Sequence, residues 1–271
     1  MKKLLRLSII LVVTSFIANC ASNAPPDLTE IQAFTATSAP KGINSIRLEA
    51  LQETATSLGA RAALAWRAQQ IDYMLNYETD YLNQVFNFQA LLLNNNVLPP
   101  VLDEATNSLN LASNDAIRTA TRIYKIVTPP RFVTAAPSWR DYLWLGFQKP
   151  SKPNDTLLPK NAAERAIWNE YIQIGWQQGI EQANQIYSVN LGRLKRDFRG
   201  MVLYRILLAQ HIVSSPFVAT TDLGITGDGN QLRINDQALR ITATSQLNPN
   251  SSEWQPIIVN NPTRTQLPQP Q

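Results

Sequence analysis

The stretch Asn161–Ser214, NAAERAIWNEYIQIGWQQGIEQANQIYSVNLGRLKRDFRGMVLYRILLAQHIVS, decides the fold class. Just after Pro159, Asn161 and Glu164 have the spacing of a helix cap with its acidic partner. Ile167, Tyr171, Ile174, Ile180, Ala183, Tyr187, Leu191, Leu194, Phe198, Met201 and Leu208 then follow one helical stripe. About fifty residues is long for one globular helix, so a break near Gly192 or Gly200 is expected. Gly175 and Gly179 lie one turn apart. A glycine inside a helix costs about 1 kcal/mol against alanine, so the pair predicts close approach to a second helix.

Working outward, Leu51, Ala55, Leu58, Ala62 and Ala65 predict a helix from Ser45 to about Gln84, with Gly59 its one weak point. The prolines of NVLPPVL end it, since they remove amide donors and push the preceding residue out of the helical basin. A shorter helix fits Asn114–Ile126, stopped by Pro129 and Pro130. Another fits Ser138–Leu145, with Ser138 and Asp141 at cap spacing. After GDGN, the segments QLRIN and ALRITATSQL alternate apolar and polar residues, which predicts a small hairpin turning at Asn235-Asp236. Leu232, Ile234, Leu239, Ile241 and Ala243 would share its buried face. The expected fold class is mainly α, with a small C-terminal β-hairpin or sheet and flexible N- and C-terminal segments.

The N-terminus has a secretory layout. Lys2, Lys3 and Arg6 precede an apolar run from Leu7 to Ala18, too short for a spanning helix of about 20 residues and suited to a leader peptide. Cys20 is the single cysteine, which excludes a disulfide within the chain. Ile17, Ala18, Asn19 and Cys20 resemble the bacterial lipobox, with Asn19 where that pattern has Gly, Ala or Ser. The resemblance implies lipidation of Cys20, cleavage after Asn19, and firm anchoring, because several acyl chains bury many CH₂ groups at about 0.8 kcal/mol each. Ala21 stands where an Asp would favour the inner membrane, so the expected location is the periplasmic face of the outer membrane.

The expected division is therefore 1–19 leader, 20–44 lipidated tether (semi-extended at Pro25 and Pro26), 45–248 mainly helical periplasmic domain, and 249–271 irregular tail. The formal net charge of +4 loses three cations with the leader, leaving 21 basic residues against 20 acidic. A nucleic-acid partner loses its electrostatic support at that point.

Catalytic signals are thin. His211 is the only histidine and reads as a helix-face residue with a hydrogen-bonded partner; no zinc set or nucleophile elbow accompanies it. Glu164, Glu170 and Glu181 are the acids to test for glycan cleavage, which needs two carboxyls across a cleft. Asp222, Asp228 and Asn230 lack the spacing of an EF-hand and read as a turn. No cofactor or metal is expected. The dense aromatics of PPRFVTAAPSWRDYLWLGF are either core under a long loop or an interface. Candidate partner-contact residues are Phe132, Trp139, Arg140, Tyr142, Trp144, Leu232 and Ile234.

Several segments carry a wider resemblance: SIRLEALQETATSLGARAALAWR, FNFQALLLNNNVLPPVLDEA, YKIVTPPRFVTAAPSWRDYL, LLPKN, GWQQGIEQANQIY, RLKRDFRGMVLYRILL and LGITGDGNQLRINDQALRIT. Together, in order, they resemble the DotC/TraI-type lipoproteins of type IVB (Dot/Icm-like) secretion and I-type conjugation systems. The resemblance implies a non-enzymatic subunit of an outer-membrane core complex, anchored at Cys20, working with DotD-like and DotH-like subunits in a multi-subunit ring. Two other classes compete: a periplasmic glycan-active lipoprotein, and a lipoprotein that binds a small ligand in a closed apolar pocket.

Overall fold

The computed structural model describes residues 25–34, 45–113 and 116–255. The expected leader (1–19), Cys20 and residues 256–271 lie outside them. The helices in chain order are α1 (Pro26–Gln32), α2 (Ser45–Tyr77), α3 (Thr79–Val85), α4 (Arg140–Leu143) and α5 (Ala162–Ala209). The strands are β1 (Val97–Leu98), β2 (Val101–Ser113), β3 (Ala116–Thr128), β4 (Arg131–Phe132), β5 (Phe217–Gly227) and β6 (Leu232–Ala243). The mainly helical class and the C-terminal hairpin stand as expected. The chain divides into two compact units: residues up to Tyr77 with Leu145–Tyr187, and Glu78–Trp144 with the residues from Ser188 onward.

The first unit is helix on helix. Arg47 meets Glu164, and Arg67 Nε donates to Asn184 Oδ1 at 2.8 Å, each pair 117 residues apart in sequence. A constant offset over about 30 Å of helix means that α2 and α5 run parallel. The seam is made of small residues. A Cβ on Gly59 would meet the Ile172 carbonyl and, at 3.1 Å, the Trp176 amide nitrogen. On Gly175 it would strike Thr56 and Ala60 backbone, and on Gly179 the Ala60 carbonyl. The glycine pair is thus a backbone-to-backbone contact, as its spacing predicts, and Gly59 belongs to the same seam.

Around it Leu51, Ala55, Leu58, Trp168, Ile172 and Trp176 form the core, with the Trp66 and Trp176 rings 5.7 Å apart. Of the expected stripe, Ala183, Leu194 and Met201 are buried and Ile167, Tyr171 and Ile180 lean on the core, while Ile174 is 42% exposed; Trp168, Ile172 and Trp176, outside that stripe, are buried beside it.

The cap of α5 forms as read. Glu164 N–H donates to Asn161 Oδ1 at 2.8 Å, and the Glu164 carboxylate accepts from the Lys160 amide at 2.9 Å. The expected break does not occur, and α5 runs 48 residues without interruption. Gly200 is there for another reason. A Cβ on it would meet Val101 Cγ1 at 2.6 Å, so its absence lets β2 lie on the helix.

Residues 26–32 correct the semi-extended reading of the tether. Pro26 occupies the first turn of a helix, where its missing N–H costs nothing. Leu28 and Ile31 then enter the core of the first unit.

In the second unit, the expected helix at Asn114–Ile126 is overturned. Asn114 itself lies outside the described residues, and Ala116–Thr128 is a strand antiparallel to β2. Ile117, Ala120, Ile123, Tyr124 and Val127 do recur at helical spacing. However, the segment is rich in Ile, Thr and Val, whose branched Cβ favours strand.

The C-terminal hairpin also turns elsewhere than expected. Its turn is Asp228–Gln231, where Asp228 Oδ1 accepts from the amides of Asn230 and Gln231 at 2.8 and 2.9 Å. Asn235-Asp236 is instead an irregularity within β6 opposite Gly224, with Asn235 at φ 57°. Ser138–Leu145 shortens to α4; Asp141 Oδ2 accepts from the Ser138 amide at 2.7 Å, as its cap spacing predicts.

Candidate assembly surface

The second unit holds every predicted contact residue. Its own core starts with the C-terminal part of α5: Tyr204 and Leu207 pack with Leu102 and Val213, and Tyr124 and Ile126 of β3 lean on that cluster. The end of α5 explains the lone histidine. His211 takes φ 57°, its N–H donates to the Leu208 carbonyl at 3.1 Å, and Ile212 N–H donates to Leu207 at 2.9 Å. This is a Schellman ending with histidine in the left-handed position usually given to glycine. His211 is therefore an exposed helix terminator, which replaces the helix-face reading. The chain then returns across it, with Asn248 N–H on the Ile212 carbonyl and Gln255 N–H on Gln210. Residues 249–255 of the expected irregular tail are pinned in this way.

The aromatic segment is mostly core. Trp139 is 1% exposed, and its Nε1–H donates to Asn83 Oδ1 at 2.8 Å. Within this chain that burial makes Trp139 a core residue rather than part of the exposed surface expected of a partner contact. Arg140 lies over the Trp139 ring at 4.3 Å and near Trp144 at 5.7 Å, and donates to Thr79 Oγ1 at 3.1 Å. Tyr142 stacks on Phe88, and its hydroxyl donates to Asp197 Oδ2 at 3.2 Å. Burial, with the Asp197 charge beside it, pushes the Tyr142 phenol up to about 12. Phe198 completes the group edge-on to Phe86 and Phe88.

Trp139, Arg140, Tyr142 and Trp144 are thus gathered by α4, with only Trp144 largely exposed. Phe132 sits apart on β4, opposite Val97, and is 39% exposed.

Leu232 and Ile234 belong to the most open part of the molecule. No residue of β5 or β6 is buried. Ile225 pairs directly with Ile234, and Gly227 with Leu232. Opposite residues share a face and side chains alternate along a strand, so Ile225, Leu232 and Ile234 form one apolar patch near the tip. Their exposures are 69%, 65% and 68%. The expectation of a buried face there is overturned, because among the described residues none covers Ile225, Leu232 and Ile234, while the base of the ribbon, at Val218 and Ile241, is half-buried.

The β2–β3 ribbon repeats the theme. Its base docks through Leu102, Tyr124 and Ile126. The opposite face carries Leu109, Ile117, Ile123 and Val127, all exposed, with Leu109 brought there by its pairing with Thr119. This second ribbon was missed in the sequence because the helical spacing of its apolar residues hid it.

Isolated two-stranded ribbons are marginal in water, and open edges invite another strand. Burying a side chain of Ile or Leu size contributes about 1.5–3 kcal/mol, a gain these ribbons leave unrealised in the monomer. Such a surface can bind protein.

The acids considered for catalysis are placed otherwise. Glu164 is buried and paired with Arg47 Nη2 at 2.9 Å. Arg47 also donates to the carbonyls of Thr156 and Leu158. Hydrogen bonding from Arg47 holds the Glu164 carboxyl below the usual carboxylate range even though burial opposes it, the reverse of what a general acid needs. Glu170 and Glu181 are exposed on α5, Glu181 accepting from Gln177 at 2.7 Å. Asp228 accepts the Asn230 amide in the hairpin turn, whereas Asp222, expected in a turn, lies within β5 and accepts the Gly224 amide at the strand's irregularity. Among the described residues no cluster of three or more His, Cys, Asp or Glu is placed to hold a metal. Among the same residues no helix is long and apolar enough to cross a membrane. The depression at the end of α5, lined by Leu208, His211, Val213, Ser214 and Leu247, opens broadly to solvent.

A family model described as "Type IV secretory system, conjugal DNA-protein transfer", the TraI family, matches residues 45–256. The chain belongs to that family. The matched span includes both ribbons and the α2–α5 seam of this type IV secretory protein. No curated protein matches the chain. Membership makes it a component of a secretion system and associates it with a multi-subunit complex.

Proposed function

We propose that this type IV secretory protein is a structural lipoprotein subunit of the outer-membrane core complex of a type IVB (Dot/Icm-like) system. On this reading Cys20 carries the lipid, the domain faces the periplasm, and the protein helps assemble and localise DotD-like and DotH-like subunits in a ring. The protein has no catalytic task in this role. The observation that carries the reading is the β5–β6 ribbon, which has no buried residue and an apolar tip at Ile225, Leu232 and Ile234. A subunit whose partners supply the missing cover accounts for that exposure. The lipobox-like ILE-ALA-ASN-CYS run and the family match support the anchor and the setting.

The test is affinity purification from detergent-extracted membranes, with lipid labelling of wild type beside Cys20→Ser. Recovery of other secretion subunits in a large complex, with label lost in the variant, is the expected result. A monomer without partners sinks the scaffold role, and equal labelling sinks the anchor.

A further inference from the structure

The first described residue, Pro25, is only five residue steps along the chain from Cys20. Five residues reach at most about 18 Å fully extended. Beyond them α1 is fastened to the first unit. Ile31 is 1% exposed and Leu28 9%. Trp168 Nε1–H donates to the Ile31 carbonyl at 3.1 Å in a buried contact. Lys149 Nζ lies 3.0 Å from Asp27 and 2.5 Å from Glu30, one cation on two acids a helical turn apart. Phe34 packs on the same core.

Without this docking the span from Cys20 to Ser45 is 25 residues, with a reach of up to about 90 Å. Docked, the chain from residue 35 to residue 44 plays no part in setting the distance from the anchor.

We infer that α1 is a clamp that holds the first unit against a lipid surface, with the face carrying Pro25 no farther than the five-residue leash from Cys20. The inference rests on the anchor reading of Cys20 and assigns the occupant of that face: the bilayer surface, rather than another protein. It also assigns a task to Trp168 and Lys149, which hold the clamp shut from outside α1. The protein therefore stands close to the membrane although 25 residue steps separate Cys20 from the start of α2. Release of α1 would lengthen the leash several-fold without any cleavage.

The experiment uses the full lipidated chain in phosphatidylethanolamine–phosphatidylglycerol vesicles with a headgroup acceptor dye. The donor is placed on Ser57→Cys, an exposed position of α2; the acylated Cys20 does not react with it. Two insertions of a Gly-Ser segment of about 30 residues, adding roughly 30 Å of reach, are compared. One follows Ser22, ahead of α1, and the other follows Ser38, behind it. The insertion after Ser22 is expected to lower energy transfer to the bilayer, and the one after Ser38 to leave it at the wild-type value.

Combining Ile31→Asp with Lys149→Glu is expected to make the second insertion lower transfer as well. Equal losses from both insertions in the otherwise wild-type chain overturn the clamp. If the wild type fails to float with vesicles, or floats as Cys20→Ser does, the anchor reading falls instead, and the inference with it. The two failures are therefore distinguishable.

Discussion

Along the α2–α5 seam, Gly59, Gly175 and Gly179 bring two backbones together, and the side chains around them are buried. Along β5–β6, side chains of similar apolarity are exposed, and among the described residues none covers the tip at Ile225, Leu232 and Ile234. Both regions use sequence that would serve in a core. The seam completes its packing within one chain, while on the proposed reading the ribbon leaves its packing to a second. Substitutions should therefore separate cleanly: seam changes act on folding, and ribbon changes act on assembly.

The largest effect is expected at the ion pair that closes the start of the seam. Arg47→Ala leaves the buried Glu164 carboxylate without its cation, a change that costs about 3–5 kcal/mol, measurable as a fall in denaturant midpoint. The pH dependence has a definite sign. Because the folded carboxyl is held below its unfolded value, its contribution is full above the unfolded carboxylate range of about 4.3. It is lost as pH falls through the lower folded value. Glu164→Gln should flatten that part of the acid profile.

Next come Gly175→Ala and Gly179→Ala, each placing a Cβ into α2 backbone. Overpacking of this kind costs about 1–3 kcal/mol. Tyr142→Phe removes the hydrogen bond to Asp197, worth about 1 kcal/mol. The phenol is raised to about 12, so its contribution is full below the unfolded tyrosine value of about 10 and is lost as pH rises toward 12. Tyr142→Phe should remove that alkaline loss from the unfolding profile.

Gly192→Ala is the control on the same helix. No atom lies within 4 Å of its would-be Cβ, so helix propensity alone decides, and the variant should gain about 0.5–1 kcal/mol. If Gly175→Ala and Gly192→Ala shift the thermal midpoint in the same direction, the seam account fails.

What was legible in the sequence follows from the same contrast. The Asn161–Glu164 cap and the Gly175–Gly179 pair were readable because cap chemistry and glycine cost are local rules. The unbroken course of α5 through Gly192 and Gly200 was not, since Gly200 answers to the approach of β2 rather than to helix propensity. β3 was misread because Ile117, Ala120, Ile123 and Val127 satisfy helical spacing, and only its branched composition argues for a strand. The buried face assigned to Leu232, Ile234 and Leu239 failed for a different reason. Alternation shows which residues share a face, but not whether the same chain covers it. Trp139 and Trp144, five residues apart, illustrate the limit: one is enclosed beside Asn83, the other lies largely open. Neither fate is written in the local composition.

The smallest stability effect is expected where the functional effect is greatest. Ile225→Thr with Ile234→Thr keeps strand propensity and changes an exposed pair, so the isolated domain should unfold within about 0.5 kcal/mol of wild type. The decisive measurement is recovery of the secretion complex from membranes by this double variant beside wild type, at matched expression. The account predicts a folded, membrane-associated protein that has lost its partner subunits. Undiminished recovery of the complex would contradict it.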